Sequence, residues 1–428
     1  MNGMKRLLLT VLLLLGAPVA AAQTLTLHTM FGPSPANADR VMVSGEDGRW
    51  REVEGAGGVY TAQLEGARYS LAVTCFTPQG PTITVYRFLL DEVSSLQHTC
   101  PGQGDVLTTP TRVTGDLRTG PSAGRVPNLA SVYVGGRQVY SGVASEGATF
   151  GATMPPSAGA DLLALDAALG EVPGRALLQR GADLADAPLL LDLTSEQALE
   201  LVQYELAVAD AESAMLENTT LTARLVTCGG LNAPVGAAVP AGSSRAAYAA
   251  LPEAVREECD RYELTALATD ATGMTLRLAS AVLAEPTATE LVLPEPVALP
   301  LIDTVGTDPL RARFTWQQEP GVLFYVGALT DGRVTWNFVQ SAWLAPSMTV
   351  APWGADVAAP DLRGGEFYWG FGAVRGAGGV DQVLRAYLQS SVTGQGGYWG
   401  PVTPGLAFQL YMTGGPWAPH ATELPGSR

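Results

Sequence analysis

Apolar residues along this chain come in short runs that alternate with polar ones, bounded by glycine, proline and Asp-Gly signals. Tyr69, Leu71, Val73 and Cys75 fall at every second position, which places them on one face of a strand. Val322 to Ala328 and Val334 to Val339 flank Thr330-Asp331-Gly332 and predict a hairpin, with Trp336 and Phe338 on one face. Tyr262 to Thr269 and Met274 to Val282, joined by Asp270 to Gly273, predict a second. Later, Phe367, Trp369 and Phe371 share a face opposite Tyr368. One stretch breaks the rhythm: Glu196 to Glu217 is rich in helix formers, with Leu199, Val202, Leu206 and Ala209 near helical spacing. A strand through Val202 to Val208 competes with that helix on equal terms. The expected class is all-β, as several consecutive sandwich-like domains ending in an aromatic-rich β domain.

The opening residues follow a different pattern. Lys5 and Arg6 precede an apolar run from Leu7 to Gly16 and small residues from Ala17 to Ala22, with Ala20 and Ala22 in an A-x-A arrangement before Gln23. This predicts a secretory signal peptide over 1–22 and a mature protein that is secreted, periplasmic or on the cell surface. The run is too short to span a bilayer, and no membrane span is expected after the cut. Accumulations of Pro, Gly and Thr at Pro101 to Thr111, Asp192 to Ser195 and Pro294 to Pro300 suggest domains at 23–105, 106–194, 195–298 and 299–428.

Four cysteines in an exported chain suggest disulfides. Their spacing favours Cys75 with Cys100 and Cys228 with Cys259, among three arithmetically allowed pairings, because each pair then lies within one proposed domain. No C-x-x-C or H-x-H spacing points to a metal, and none is expected, nor any cofactor.

Two stretches carry family resemblances. Asp39-Arg-Val-Met-Val-Ser44, the turn Glu46-Asp47-Gly48, Trp50 and the strand from Tyr69 to Cys75 resemble an immunoglobulin-like module of bacterial surface proteins. Both cysteines follow Trp50, so the resemblance implies architecture alone. Val113-Thr-Gly-Asp116, Ala130-Ser-Val-Tyr-Val-Gly-Gly136, Thr149 to Pro156 and Asp161 to Leu165 resemble a carboxypeptidase-regulatory-like β-sandwich, which implies an accessory module without catalytic residues.

Charge and composition narrow the chemistry. The chain has 25 Lys plus Arg against 41 Asp plus Glu, and loss of Lys5 and Arg6 would leave a charge of −18. Nucleic acid is a poor partner for such an acidic protein. Lys5 is the only lysine, so the mature chain has no amine for Schiff-base or P-loop chemistry. The three histidines, His28, His98 and His420, fall in no catalytic spacing, and His28 reads as a solvent-side residue of an alternating strand. Gly120-Pro-Ser122-Ala-Gly124 satisfies G-x-S-x-G, but the surrounding Gly and Pro fit a surface loop better than a strand-to-helix elbow. Glu366 and Asp381 are the carboxylates nominated for an extracellular hydrolase.

Seven of the eight tryptophans follow Leu301, the sharpest compositional shift in the chain. Trp336, Phe338, Phe367 and Trp369 read as core, whereas Trp353, Tyr398 and Trp399 lie among Gly and Pro and are the nominated ligand-binding rings. The functional expectation is a non-catalytic binding or structural protein of the envelope, its partner a glycan or another envelope protein. Carbohydrate binding through the C-terminal rings is the first alternative, and extracellular hydrolysis the second.

Overall fold

The computed structural model describes residues 22–31, 34–77, 80–100, 111–120, 128–143, 147–154, 160–168, 170–182, 188–209, 218–237, 240–305, 308–350, 367–389 and 405–417. Among them 63% are strand and 4% helix, so the protein is all-β. The segment expected to be a signal peptide, apart from Ala22, lies outside the described residues, and none of the described helices is long and apolar enough to cross a membrane.

The alternation that predicts strands is visible in their burial. Along Arg261–Thr269 every second residue, Tyr262, Leu264, Ala266 and Ala268, is buried. The turns obey the same local chemistry. Asp331 Oδ1 accepts the backbone N–H groups of Arg333 and Val334, both at 2.8 Å, and Asp270 Oδ1 does the same for Met274 at 2.9 Å. Val202–Val208 is a strand, paired with Arg245–Ala250 and Thr289–Leu291, with Leu206 and Val208 buried. Period-two burial thus prevails over helix propensity there, as tertiary pairing commonly does; residues 210–217 lie outside the described residues.

The framework is one twelve-stranded sheet. Its order is Asn232–Pro234, Asn218–Val226, Arg261–Thr269, Leu276–Leu283, Ala407–Trp417, Phe367–Ala377, Val322–Thr330, Thr335–Ser341, Gly80–Leu89, Arg68–Thr77, Arg40–Ser44 and Trp50–Glu52. All pairs in it are antiparallel except Gly80–Leu89 with Thr335–Ser341, which run parallel. On one face, strands Gln23–Phe31, Val59–Leu64 and Ser95–Thr99, together with the helix Val380–Gln389, cover a core that includes Leu27, Tyr86, Phe88, Phe324 and Leu410. On the other face, Asp308–Thr315 and its sheet neighbours bury Phe314, Trp316, Trp336, Phe338 and Phe371. The rings read as core from the sequence therefore occupy it, with Trp369 partly buried at its margin.

Residues 111–192 form a separate pair of sheets around Val113, Val132, Leu162 and Leu191. The outer face of this sandwich shares Leu163, Leu165 and Ala176 with a third core containing Leu225, Tyr248 and Tyr262.

Hydrogen bonding does not stop at the divisions suggested by Pro and Gly clusters. Gly80–Leu89 pairs with Thr335–Ser341, and Leu276–Leu283 pairs with Ala407–Trp417, so the first, third and last segments share one sheet. Local breaks mark loops, and a loop ends a domain only where no pairing crosses it. Cys75 is bonded to Cys100 and Cys228 to Cys259, with Cα atoms 5.3 and 5.4 Å apart. Each bridge closes a loop of 25 or 31 residues, worth roughly 3 kcal/mol by chain entropy.

Candidate functional site

Several sequence-nominated residues lie outside the described residues: Ser122, Trp353, Glu366, Tyr398, Trp399 and His420. The others are placed. His98 is buried at 1% exposure, beside the first disulfide: its Nε2 is 3.5 Å from Cys75 Sγ and its Nδ1 shares a 2.8 Å hydrogen bond with the Tyr86 hydroxyl. Cys75, His98 and Cys100 thus converge as a metal triad would, but the two sulfurs are bonded to each other, which removes the thiolates a metal would need. The same holds for Cys228 and Cys259 beside Glu257.

Burial holds the His98 imidazole neutral, with its pKa pushed down to about 4. The unfolded chain takes up this proton near pH 6.5, whereas the folded protein refuses it until about pH 4. Stability is therefore complete above 6.5 and falls as the medium is acidified. We expect His98 to account for about 2 kcal/mol of lost stability between pH 6.5 and 5. Urea titrations at the two pH values, repeated on His98→Gln, check this; an equal slope in the variant would refute it.

A second cluster joins the two halves of the third core. Asp161, 2% exposed, accepts hydrogen bonds from Thr227 Oγ1 at 2.6 Å, Gly181 N at 2.9 Å and Arg180 Nη1 at 2.9 Å. Arg180 also forks onto Asp260, 1% exposed, reaching its Oδ1 at 2.9 Å, and donates to the Val255 carbonyl at 3.2 Å. Desolvation pushes the Asp161 carboxyl up, but the bonds from Thr227, Gly181 and Arg180 outweigh it and hold the pKa below its usual value. These charges are spent on joining strand Arg175–Ala182 to the loop closed by the second disulfide.

Among the described residues, two features are open to a partner. The first is Trp343, 75% exposed, on the turn after Thr335–Ser341. This turn is firmly fixed. Gln318 Nε2 donates to the Ala342 carbonyl at 2.7 Å and the Leu344 carbonyl at 3.2 Å, on either side of the tryptophan. Trp343 N donates to Ser341 Oγ at 3.2 Å, and that hydroxyl donates to Glu92 Oε1 at 2.9 Å. Ala342 N is bonded to the Leu323 carbonyl at 3.0 Å. Pro346 and the small residues around Trp343 were the sequence signal for a turn that could have singled out this ring.

The second is a cleft of about 200 Å³ beside strand Ser95–Thr99, along which the helix Val380–Gln389 lies. The parallel pairing of Ser95–Thr99 with Gln23–Phe31 sets its chemistry. Leu27 with Leu96 and Thr29 with His98 face the core, and all four are buried. Alternation then puts His28 beside Gln97, and Met30 beside Thr99, on the outer side. The cleft is lined there by His28, Gln97 and Thr99, and from the helix by Asp381, Leu384 and Arg385. His28 is half-buried at this outer wall. Asp381 stands exposed one helical turn from Arg385.

No protein-family model matches the chain, and no curated protein does. Among solved structures, the Bacillus anthracis TIE protein is 12% identical over 64% of this chain at a TM-score of 0.15. That match spans half the length of the TIE protein. A putative adhesin from Bacteroides ovatus is 10% identical over 43% of this chain and 89% of its own, at a TM-score of 0.18. The FN1–FN3 domains of chicken CNTN1 are 8% identical over 62% of this chain and 90% of theirs, at a TM-score of 0.15. Superpositions this poor transfer no role to individual residues.

Proposed function

We propose that the mature protein is a secreted or cell-envelope binding protein without turnover chemistry, and that Trp343 is its principal contact residue. The carrying observation is the display of that ring: a large amphipathic side chain held in water by a turn whose flanking carbonyls are clamped by Gln318. A large aromatic ring carried on a turn whose backbone is already fixed needs no backbone ordering on binding, which is a property of an interface anchor. The absence of chemistry is supported by where the strongly coupled groups are spent, His98 on Tyr86 beneath the disulfide and Arg180 between two carboxylates.

A glycan is the partner this ring suits best, since an indole stacks on a sugar face without any titrating group. Retention of the mature chain on immobilised polysaccharides is the test. Trp343→Ala should weaken it by roughly 30-fold, the effect of losing an aromatic anchor worth about 2 kcal/mol. The exposed position leaves folding intact. Retention unchanged in Trp343→Ala removes this ring from the reading, and turnover of ester, peptide or glycan substrates by the wild-type chain overturns it.

A further inference from the structure

We propose that the cleft between strand Ser95–Thr99 and the helix Val380–Gln389 is a second binding site, specific for a single uronic acid residue within an otherwise neutral glycan. This rests on the glycan-binding reading above, and adds to it a site of different chemistry.

Size limits the ligand first. A volume of about 200 Å³ lies below the ~300–1,000 Å³ of sites that enclose drug-sized molecules, so one sugar ring fits and an extended ligand does not. The lining then selects the groups on that ring. Arg385 offers a guanidinium fork that matches a carboxylate. Asp381, one turn away, only accepts when ionised, and so calls for donors on the ligand. Gln97 and Thr99 both donate and accept, and the His28 imidazole stands on the same wall. A ring with one carboxylate and several hydroxyls satisfies all of these together.

The competing ligands each leave something unmet. An acidic peptide side chain pairs with Arg385 but gives Asp381 no donor. A neutral sugar leaves the guanidinium without its fork. A polyuronate is repelled by a chain whose charge is −16 before any cleavage. A lone uronic acid residue avoids all three penalties.

The framework of the cleft is rigid, since its strand wall is fixed by the parallel ladder from Thr26 to Met30 and the helix is anchored by buried Val383, Leu384 and Ala386. Arg385 and Asp381 are exposed, so substituting either leaves the core untouched.

Saturation-transfer NMR on the mature full-length chain, with methyl glucuronoside, methyl glucoside and an acidic peptide as probes, decides the matter. We expect methyl glucuronoside to bind at least ~10-fold more tightly than methyl glucoside, consistent with one charged hydrogen-bonded pair. Arg385→Gln should abolish that preference while keeping weak binding of both sugars, and Gln97→Ala should weaken both. Trp343→Ala should change none of these values. Preference that survives Arg385→Gln, absence of sugar binding, or binding of the peptide in place of the sugar overturns the proposal. Loss of polysaccharide retention in Trp343→Ala, with no sugar in the cleft, would leave the broader reading standing and this one refuted.

Discussion

Arg180→Met should destabilise the protein by about 3–5 kcal/mol, the cost of removing one member of a buried charge network. The reason lies in what stays behind. Asp161 and Asp260, 2% and 1% exposed, would both lose their shared cation. Asp161 would keep Thr227 and Gly181 as donors, and Asp260 the backbone N–H of Glu257 at 3.0 Å, so neither is wholly unsatisfied. Two neighbouring carboxylates without a counter-ion must nevertheless repel or take up a proton. The double variant Arg180→Met with Asp260→Asn separates the contributions, because it removes one charge of each sign. It should recover part of the loss, and urea denaturation of the four proteins in the cycle measures how much. A single-variant cost below about 1 kcal/mol would mean that the network is an ordinary surface ion pair.

The sign of the pH response follows from the same cluster. Asp161 titrates below its unfolded value, so its contribution is present above about pH 4 and is lost as the medium is acidified through the folded pKa. His98 acts at higher pH, between 6.5 and 4, which keeps the two contributions apart in a titration.

What the sequence disclosed is local. Hairpins around Asp270 and Asp331 were legible because an Asx side chain and a following glycine write the turn within four residues. The pairing of Cys75 with Cys100, and Cys228 with Cys259, was legible because the members of each pair lie close in sequence, within one proposed segment. Sheet order was not. Phe338 meets Val85 in a parallel ladder across some three-fifths of the chain, and alternation in each strand is the same whichever neighbour it finds. The helix Val380–Gln389 did carry a signal, in Val380, Val383, Leu384, Tyr387 and Leu388 at helical spacing, but a run of ten residues amid strands is short enough to be masked by the surrounding alternation. Of the candidate sites, Asp381 was singled out as a hydrolase carboxylate and lines the cleft, while Arg385, Gln97 and Trp343 were not singled out at all. Exposure and juxtaposition are properties of the assembled sheets, and nothing in a residue's immediate neighbours encodes them.

The sheet order leads to the other large effect: residues 299–428 should not fold alone. Cutting at 298/299 strips Thr335–Ser341 of its parallel partner Gly80–Leu89 and Ala407–Trp417 of its antiparallel partner Leu276–Leu283. Both sides of the remaining four strands would then end in unpaired edges, which invite aggregation. Burial fails with pairing. Phe324, Val374 and Leu410 pack in a core whose other members include Leu27, Tyr86, Phe88 and Leu278, all upstream of the cut. Across the sheet, Trp336 and Phe338 lose Ile83 and Val85. Exposing several large apolar side chains at about 1.5–3 kcal/mol each exceeds the whole stability of an ordinary domain. The fragment should therefore give a collapsed or aggregated species with poor amide dispersion in NMR. Mixing or co-expressing it with residues 23–298 should restore dispersion, because the missing strands and core residues return together. A fragment that is monomeric and unfolds cooperatively by itself would show that the last segment is an autonomous domain, and that the pairings to the earlier strands are an interface between two stable bodies rather than part of one.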